Sequence, residues 1–100
     1  MEKRTAHCKL AVVHALVQAG QVQATAAAFQ GARAIGIEDL DGICAVVLRL
    51  TPDDFHKSMT THMDHRIWQD VYHARLAAGV WAYVKLTVVD EVLVVSFKEL

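Results

Sequence analysis

The segment VWAYVKLTVVDEVLVVSFK, Val80–Lys98, carries the clearest pattern in this chain of 100 residues. Hydrophobic and polar side chains alternate along it with a period of two, as in strands that bury one face. Asp90-Glu91 breaks the alternation and is short enough for a hairpin turn, so we expect strands at Val80–Val89 and Val92–Lys98. One face of this hairpin is predicted to be polar and to carry Trp81, Tyr83, Lys85, Ser96 and Lys98.

Two further strands are predicted just upstream of the hairpin. Trp68–Leu76 has the same period and connects to the hairpin through Ala77-Ala78-Gly79, and Ser58–Met63 is a weaker candidate. Ile43–Leu50 is apolar and rich in β-branched residues, which favours a buried strand after an acidic turn at Glu38–Gly42. Thr51, Pro52 and Asp54 form a capping-box pattern, which predicts a short helix that ends near Lys57.

The first third of the chain has helical spacing after an extended lead-in at residues 1–8. Leu10, Val13, Leu16 and Val17 form one stripe, with Thr5 or His7 near the helix start and Gly20 at its end. Thr25 is suited to cap a second helix, Ala26–Ile35, with Gly36 after it. Gly31 inside that helix costs about 1 kcal/mol relative to alanine. We therefore predict a single α+β domain over residues 1–100, with two N-terminal helices and a short inserted helix on a small, mainly antiparallel sheet.

Composition excludes several classes of protein. Hydrophobic residues make up 54% and charged residues 21% of the chain, which is typical of a folded core rather than disorder. No apolar run approaches the roughly 18 residues of a membrane helix, and Glu2 and His14 speak against a signal peptide at the start. The formal net charge of −1 does not favour a nucleic-acid-binding protein, although a local basic patch would suffice for a short ligand. Two isolated cysteines, Cys8 and Cys44, are typical of reduced thiols in a cytosolic protein.

Two catalytic arrangements can be weighed from the residues alone. His56, His62 and His65 lie near Asp64 and Asp70, but spacing alone does not make a metal site and no HExxH motif is present, so surface histidines are the simpler interpretation. A nucleophilic cysteine is also disfavoured, because a thiol such as Cys44 within an apolar segment is usually a small core residue. The lysines and aromatic rings of the hairpin can stack bases and neutralise phosphate, but an ordinary solvated face explains them more simply.

Several motifs together resemble one known family. The most specific are DFHKSMTT at Asp54–Thr61, DHRIWQDVY at Asp64–Tyr72 and VLVVSFKE at Val92–Glu99, and MEKRTAH, AGQVQAT and LDGICAV add to them. With these motifs the chain is similar, nearly end to end, to the motility quorum-sensing regulator (MqsR) toxins of bacterial toxin–antitoxin systems. The resemblance implies a RelE-like fold and a cytoplasmic endoribonuclease, an mRNA interferase, that inhibits growth. It implies cleavage without the ribosome, without cofactor or metal, and at short GC-containing sites.

The resemblance also implies which residues act. The family's proposed catalytic side chains correspond to Lys57, Gln69, Tyr83 and Lys98. Further RNA contacts are expected at His56, Met59, His73, Arg75, Trp81 and Lys85. Two of these positions depart from the family pattern, because His56 replaces a tyrosine and His73 replaces an arginine. Both changes are expected to weaken RNA contacts or to make them pH-dependent.

The resemblance further implies a mechanism and a partner. The ribose 2′-OH would attack the adjacent phosphate, giving a 2′,3′-cyclic phosphate and a 5′-OH end. The expected partner is a cognate MqsA-like antitoxin with a zinc-binding N-terminal domain and a helix-turn-helix domain, so contact with DNA would be indirect. An exposed sheet edge is one candidate for the antitoxin interface. Two alternatives are a catalytically weak scaffold that acts only by binding the antitoxin, and a metal-dependent nuclease built on the histidine cluster.

Overall fold

A computed structural model describes the backbone of residues 1–100 and every side chain except that of Ala78. The fold is α+β, as predicted, and is built on a six-stranded sheet with the strand order β1-β3-β4-β5-β6-β2. The strands are β1 (Glu2–Lys3), β2 (Val22–Ala24), β3 (Phe55–Thr60), β4 (Trp68–Arg75), β5 (Trp81–Val89) and β6 (Val92–Glu99). The helices in the described part of the chain are α1 (Leu10–Gln18), α2 (Ala26–Ala34) and α3 (Leu40–Arg49).

The C-terminal half of the sheet forms as the alternation predicted. Strands β4, β5 and β6 are antiparallel neighbours, with Val84 paired to Tyr72 on one side and to Phe97 on the other. The β5–β6 turn places both Asp90 and Glu91 at positive φ, 52° and 63°, which is the backbone of a tight hairpin turn. The connection between β4 and β5 is a short 3-10 turn, Ala77–Gly79.

The prediction of a strand at Ile43–Leu50 was wrong, because these residues belong to helix α3 and its C-terminal cap. The Asp39 side chain accepts a hydrogen bond from the Gly42 backbone N–H at 2.8 Å and starts the helix, so the predicted acidic turn ends at Asp39 rather than Gly42. Buried residues recur along α3 at helical spacing, at Ile43, Val46, Val47 and Leu50. The helical period was therefore present, but the β-branched composition outweighed it in the sequence interpretation.

Three other boundaries also differ from the predictions. The helix expected to end near Lys57 is only a 3-10 turn, Pro52–Asp54, although its capping box forms as predicted. The weaker strand candidate lies at Phe55–Thr60 rather than Ser58–Met63. Helix α1 starts after Lys9, not near Thr5 or His7, whereas Thr25 caps α2 as expected by accepting the Ala28 N–H at 3.0 Å.

The two outer strands are very short and both come from the first 24 residues. β1 pairs antiparallel with β3, so that Glu2 lies opposite Met59. β2 pairs parallel with β6, so that Val22 lies opposite Leu93. This parallel pair makes the sheet mixed rather than purely antiparallel.

The helices cover one face of the sheet and leave the other face open. The core between them contains residues of every helix and of the central strands, including Val13, Ala28, Ile43, Tyr72, Val84 and Phe97. Helix α2 lies directly against β6, where a Cβ on Gly31 would come within 2.2 Å of the Phe97 carbonyl oxygen. No helix in the described part of the chain is long and apolar enough to cross a membrane.

Candidate active site

The four predicted catalytic residues and the six predicted RNA contacts all lie on strands of the sheet, with side chains on its open face. In antiparallel pairs, opposed residues point to the same side, so the register assigns each side chain to a face. The open face begins at Met59 opposite Gln69, continues through His73 opposite Tyr83, and includes Arg75 opposite Trp81. The members in chain order are His56, Lys57, Met59, Gln69, His73, Arg75, Trp81, Tyr83, Lys85 and Lys98.

The centre of this face is a row of three rings and one lysine that crosses four strands. His56 on β3 stacks on His73 of β4, with ring centroids 4.2 Å apart and ring planes inclined by 22°. The His73 ring lies 5.9 Å from that of Tyr83 on β5. The Lys98 Nζ of β6 lies 5.0 Å from the centre of the Tyr83 ring, within cation–π distance. We call these four residues the central row.

A β-bulge in β3 explains how His56 and Lys57 reach the same face. Phe55 pairs with Tyr72 and Lys57 pairs with Val71, so two steps along β3 match one step along β4. A bulge places one extra residue opposite the partner strand and re-aims its side chain. The extra residue is His56, which joins the central row instead of pointing to the helical side.

Lys57 is held by an ion pair that the sequence did not predict. Its Nζ lies 2.6 Å from Oε1 of Glu2, which arrives on β1 from the other end of the chain. The hydrogen bond and the charge of Lys57 lower the pKa of the Glu2 carboxyl below its usual value. No local sequence pattern predicts this ion pair, because its two residues are 55 positions apart along the chain.

The N-terminal segment that carries Glu2 is itself anchored to residues of β4 that point to the helix-covered face of the sheet. Buried Asp70 accepts hydrogen bonds from two successive backbone N–H groups, His7 at 3.0 Å and Cys8 at 2.9 Å. The His7 ring stacks on Trp68, with centroids 5.6 Å apart, and Lys3 Nζ lies 4.2 Å from the centre of the same tryptophan ring. Asp70 therefore fixes β1, and through β1 the position of Glu2.

The four predicted catalytic residues do not form one tight cluster. Tyr83 and Lys98 are neighbours in the central row, whereas Lys57 lies one row away, paired with Val71. Gln69 lies four residues from His73 along β4, which is about 13 Å at the usual rise of a strand. The face is thus an extended surface, with Gln69 and Lys57 towards one end and Tyr83 and Lys98 near the middle.

The open face is basic although the whole chain is not. Its charged strand residues, among those the structure describes, are the cations Lys57, Arg75, Lys85 and Lys98 and the single anion Glu2. Trp81 at one end is 43% exposed, which is unusual for so large an apolar ring and offers a stacking surface. Val71 also belongs to this face but is fully buried, because it is paired with Lys57 on one side and with Lys85 on the other.

The structure also locates the residues of the two catalytic arrangements weighed above. His62 and His65 lie in the β3–β4 loop, and in the described part of the chain no three His, Cys, Asp or Glu side chains are grouped to hold a metal ion. Burial raises the pKa of both the Cys8 and the Cys44 thiol, and nearby Asp70 and Asp41 raise them further. A raised pKa keeps a thiol protonated and makes it a poor nucleophile.

Comparison with known proteins identifies the class to which this fold and face belong. The profile of the family described as "Motility quorum-sensing regulator, toxin of MqsA" matches residues 5–99, and the chain belongs to this toxin family. One curated relative is the mRNA interferase toxin MqsR of Escherichia coli (strain K12). It is 54% identical over 99 residues, which cover 99% of this chain and 99% of the relative.

Proposed function

We propose that this protein is the toxin of a toxin–antitoxin pair and an endoribonuclease that cuts mRNA in the cytoplasm through the open face of its sheet. The toxin and enzyme class follow from family membership and from 54% identity, over nearly the full length, to an mRNA interferase. The observation that carries the assignment to this face is the assembly of aromatic rings and cations on it. Such a face can stack bases and bind phosphates in single-stranded RNA.

The proposed reaction is attack of a ribose 2′-OH on its own adjacent phosphate. The O2′–P bond forms and the P–O5′ bond breaks, which leaves a 2′,3′-cyclic phosphate and a 5′-OH end. The nucleophile belongs to the substrate, so the step needs no attacking water. We propose in addition that it proceeds without the ribosome and without a metal ion. The protein has to accept the 2′-OH proton, stabilise the charge that builds on the phosphoryl oxygens and protonate the leaving oxygen.

The side chains of the face suit these tasks. Lys57 and Lys98 are compact ammonium groups with three donors each, suited to stabilise phosphoryl charge. Tyr83 lies beside Lys98 and can donate its hydroxyl proton to a phosphate oxygen or to the leaving oxygen. Gln69 does not titrate, so its proposed role is to hold a neighbouring nucleotide by hydrogen bonds. Its distance from the central row suits a nucleotide beside the cleaved bond rather than the reacting phosphate.

Residues around these four would bind the rest of the RNA. Trp81 and Arg75 extend the face at one end and Met59 at the other, so several nucleotides would be bound along the strands of the sheet. Lys85 lies in the same cross-strand row as Lys57, with Val71 between them, and would contact backbone phosphate. Recognition of short GC-containing sites would come from base contacts made along this length.

Cleavage of a purified messenger RNA in EDTA, with both new ends analysed, tests the proposal. We expect discrete cuts with 5′-OH and 2′,3′-cyclic phosphate ends. Lys98→Ala should reduce kcat/KM by about 100- to 1,000-fold, which is the usual loss when one charge-stabilising donor is removed. Lys9→Ala is the matched control, because Lys9 is an exposed lysine before α1 and lies off the sheet face.

Each alternative predicts a different result. Cleavage abolished by EDTA and restored by a divalent metal would favour the metal-dependent nuclease. A folded wild-type protein that cuts nothing, or a growth defect that survives both Lys57→Ala and Lys98→Ala, would favour a scaffold that acts only by binding. Equal activity of Lys98→Ala and Lys9→Ala would remove the open face from the reaction.

We also propose that a cognate MqsA-like antitoxin neutralises the toxin. The support is the matched family's description as the toxin of MqsA. The zinc-binding and helix-turn-helix domains expected of that antitoxin would make any contact of this chain with operator DNA indirect. Co-purification of the chain with the product of its neighbouring gene is the direct test.

A further inference from the structure

The two histidines occupy one end of the central row, and the cation Lys98 lies at its other end. His73 touches His56 on one strand and faces Tyr83 on the next, and both rings are reached from the open face. No described side chain or backbone group hydrogen-bonds to a ring nitrogen of either residue, whereas His14 uses Nε2 on the Val47 carbonyl at 2.9 Å. The ring nitrogens of His56 and His73 are therefore available to a substrate.

The remaining polar residues of the site leave one task unfilled. A lysine ammonium has no lone pair, a glutamine does not titrate, and a tyrosine keeps its proton at neutral pH in its ordinary state. The 2′-OH still has to lose a proton as it attacks phosphorus. A neutral imidazole is the side chain best suited to accept that proton near pH 7.

We propose that His73 is the general base that accepts the 2′-OH proton, and that His56 is a positioning residue that holds its ring by stacking. The inference rests on the proposed ribonuclease function and adds a catalytic residue to it. In the step, the 2′-OH proton passes to a ring nitrogen of His73 as O2′ bonds to phosphorus. The P–O5′ bond breaks, and O5′ takes its proton from Lys98 or Tyr83. Lys57 then needs to lose no proton and can act purely as a charge, consistent with its ion pair to Glu2.

The surroundings of His73 favour the neutral, accepting form. Partial burial lowers the pKa of His73, and the positive charge that His56 can carry lowers it further. Most charged groups on the surrounding strands are cations, which also disfavour a second positive charge at the centre. The titratable and charged groups that face the pair are Lys57 on β3, Arg75 on β4, Tyr83 and Lys85 on β5, Lys98 on β6 and the single carboxylate Glu2 on β1.

The pH dependence of kcat/KM on a short RNA tests the assignment. In the wild type kcat/KM should rise with pH through a single titration, which forms the acidic limb of the pH profile. Proton NMR of the His73 ring should give the same midpoint. His73→Gln should lose about 100-fold or more in kcat and should no longer show that acidic limb. His56→Phe keeps a stacked ring but removes its charge, so the limb should remain and move to higher pH. His65→Gln, in the β3–β4 loop, is the control and should match the wild type.

Chemical rescue separates a base from a structural role. In His73→Ala, added imidazole should restore cleavage in proportion to the concentration of its neutral form, whereas Lys98→Ala should show no rescue. A His73→Gln variant that folds like the wild type but keeps the acidic limb would overturn the assignment, as would His73→Ala without any rescue. If the wild type cuts no RNA at all, the proposed function fails, which is distinct from cleavage that is indifferent to His73.

Discussion

The close approach of helix α2 to strand β6 at Gly31 allows a sharp test of the fold. Gly31 lies in the middle of α2, where alanine is normally favoured over glycine by about 1 kcal/mol. An added Cβ would lie 2.2 Å from the Phe97 carbonyl oxygen and 2.9 Å from the Lys98 Cα. Both are backbone atoms of β6, so no side chain can rotate away. Helix propensity and packing therefore predict opposite effects for Gly31→Ala.

The magnitude follows from the required displacement. Non-bonded heavy atoms rest about 3.5–4.0 Å apart, so α2 and β6 would have to separate by more than an ångström. Overpacking of this kind costs about 1–3 kcal/mol or somewhat more, and a contact of backbone with backbone belongs at the upper end. After the gain in helix propensity, we expect Gly31→Ala to lower the free energy of unfolding by about 2 kcal/mol.

Urea denaturation of the wild type and the variant measures this difference directly. Gln30→Ala and Gln30→Gly form the matched control pair, because Gln30 is exposed at the neighbouring position of α2 and isolates the propensity term. We expect Gln30→Ala to be the more stable of that pair by about 1 kcal/mol. A Gly31→Ala protein as stable as the wild type, or more stable, would refute the argument from close packing.

Three other predictions concern the anchor of the N-terminal segment, a buried phenol and the hairpin turn. Asp70→Asn should lower the free energy of unfolding by about 1–3 kcal/mol and speed hydrogen exchange at the backbone N–H groups of His7 and Cys8. The reason is that the asparagine side chain accepts these two hydrogen bonds less strongly than the carboxylate does. Unchanged exchange at both positions would contradict this prediction. Burial and nearby carboxylates raise the pKa of Tyr72 to about 12, so the folded state holds this proton more tightly than the unfolded state. The contribution of Tyr72 to the free energy of unfolding is therefore complete below the unfolded pKa near 10 and should be lost as the pH rises towards about 12. Denaturation midpoints of the wild type should accordingly fall more than those of Tyr72→Phe over this pH range. Glu91→Gly should raise the free energy of unfolding by about 1 kcal/mol, since Glu91 has φ 63° and glycine adopts that region without strain; a lower melting temperature would count against it.

Sequence patterns were sufficient wherever the decisive interactions are local. The period of two assigned Tyr83, Lys85 and Lys98 to one face of the sheet. This assignment needs only the alternation within each strand and the pairing of the two strands in a hairpin. The cap at Thr25 was likewise predicted, since its hydrogen bond reaches only to Ala28. These local rules located the open face of the sheet and its residue types.

The failures have two physical causes. In α3, Val46 and Val47 suggested a strand, but the Asp39 cap and the burial of one helical stripe outweighed their β-propensity. The ion pair of Glu2 with Lys57 escaped notice because it depends on a two-residue strand paired across more than half the chain. The bulge at His56 has no sequence signature here, so the stack on His73 was not predicted either.

The placement of the two outer strands has a consequence for how the protein is made. β1 and β2 leave the ribosome first, but they pair with β3 and with β6, which follow much later. Pairings this distant in sequence form slowly and only after the intervening chain exists. The central row also takes Lys98 from β6, which is synthesised after the other five strands. The nascent chain therefore cannot complete the proposed RNA-binding face until β6 has been synthesised.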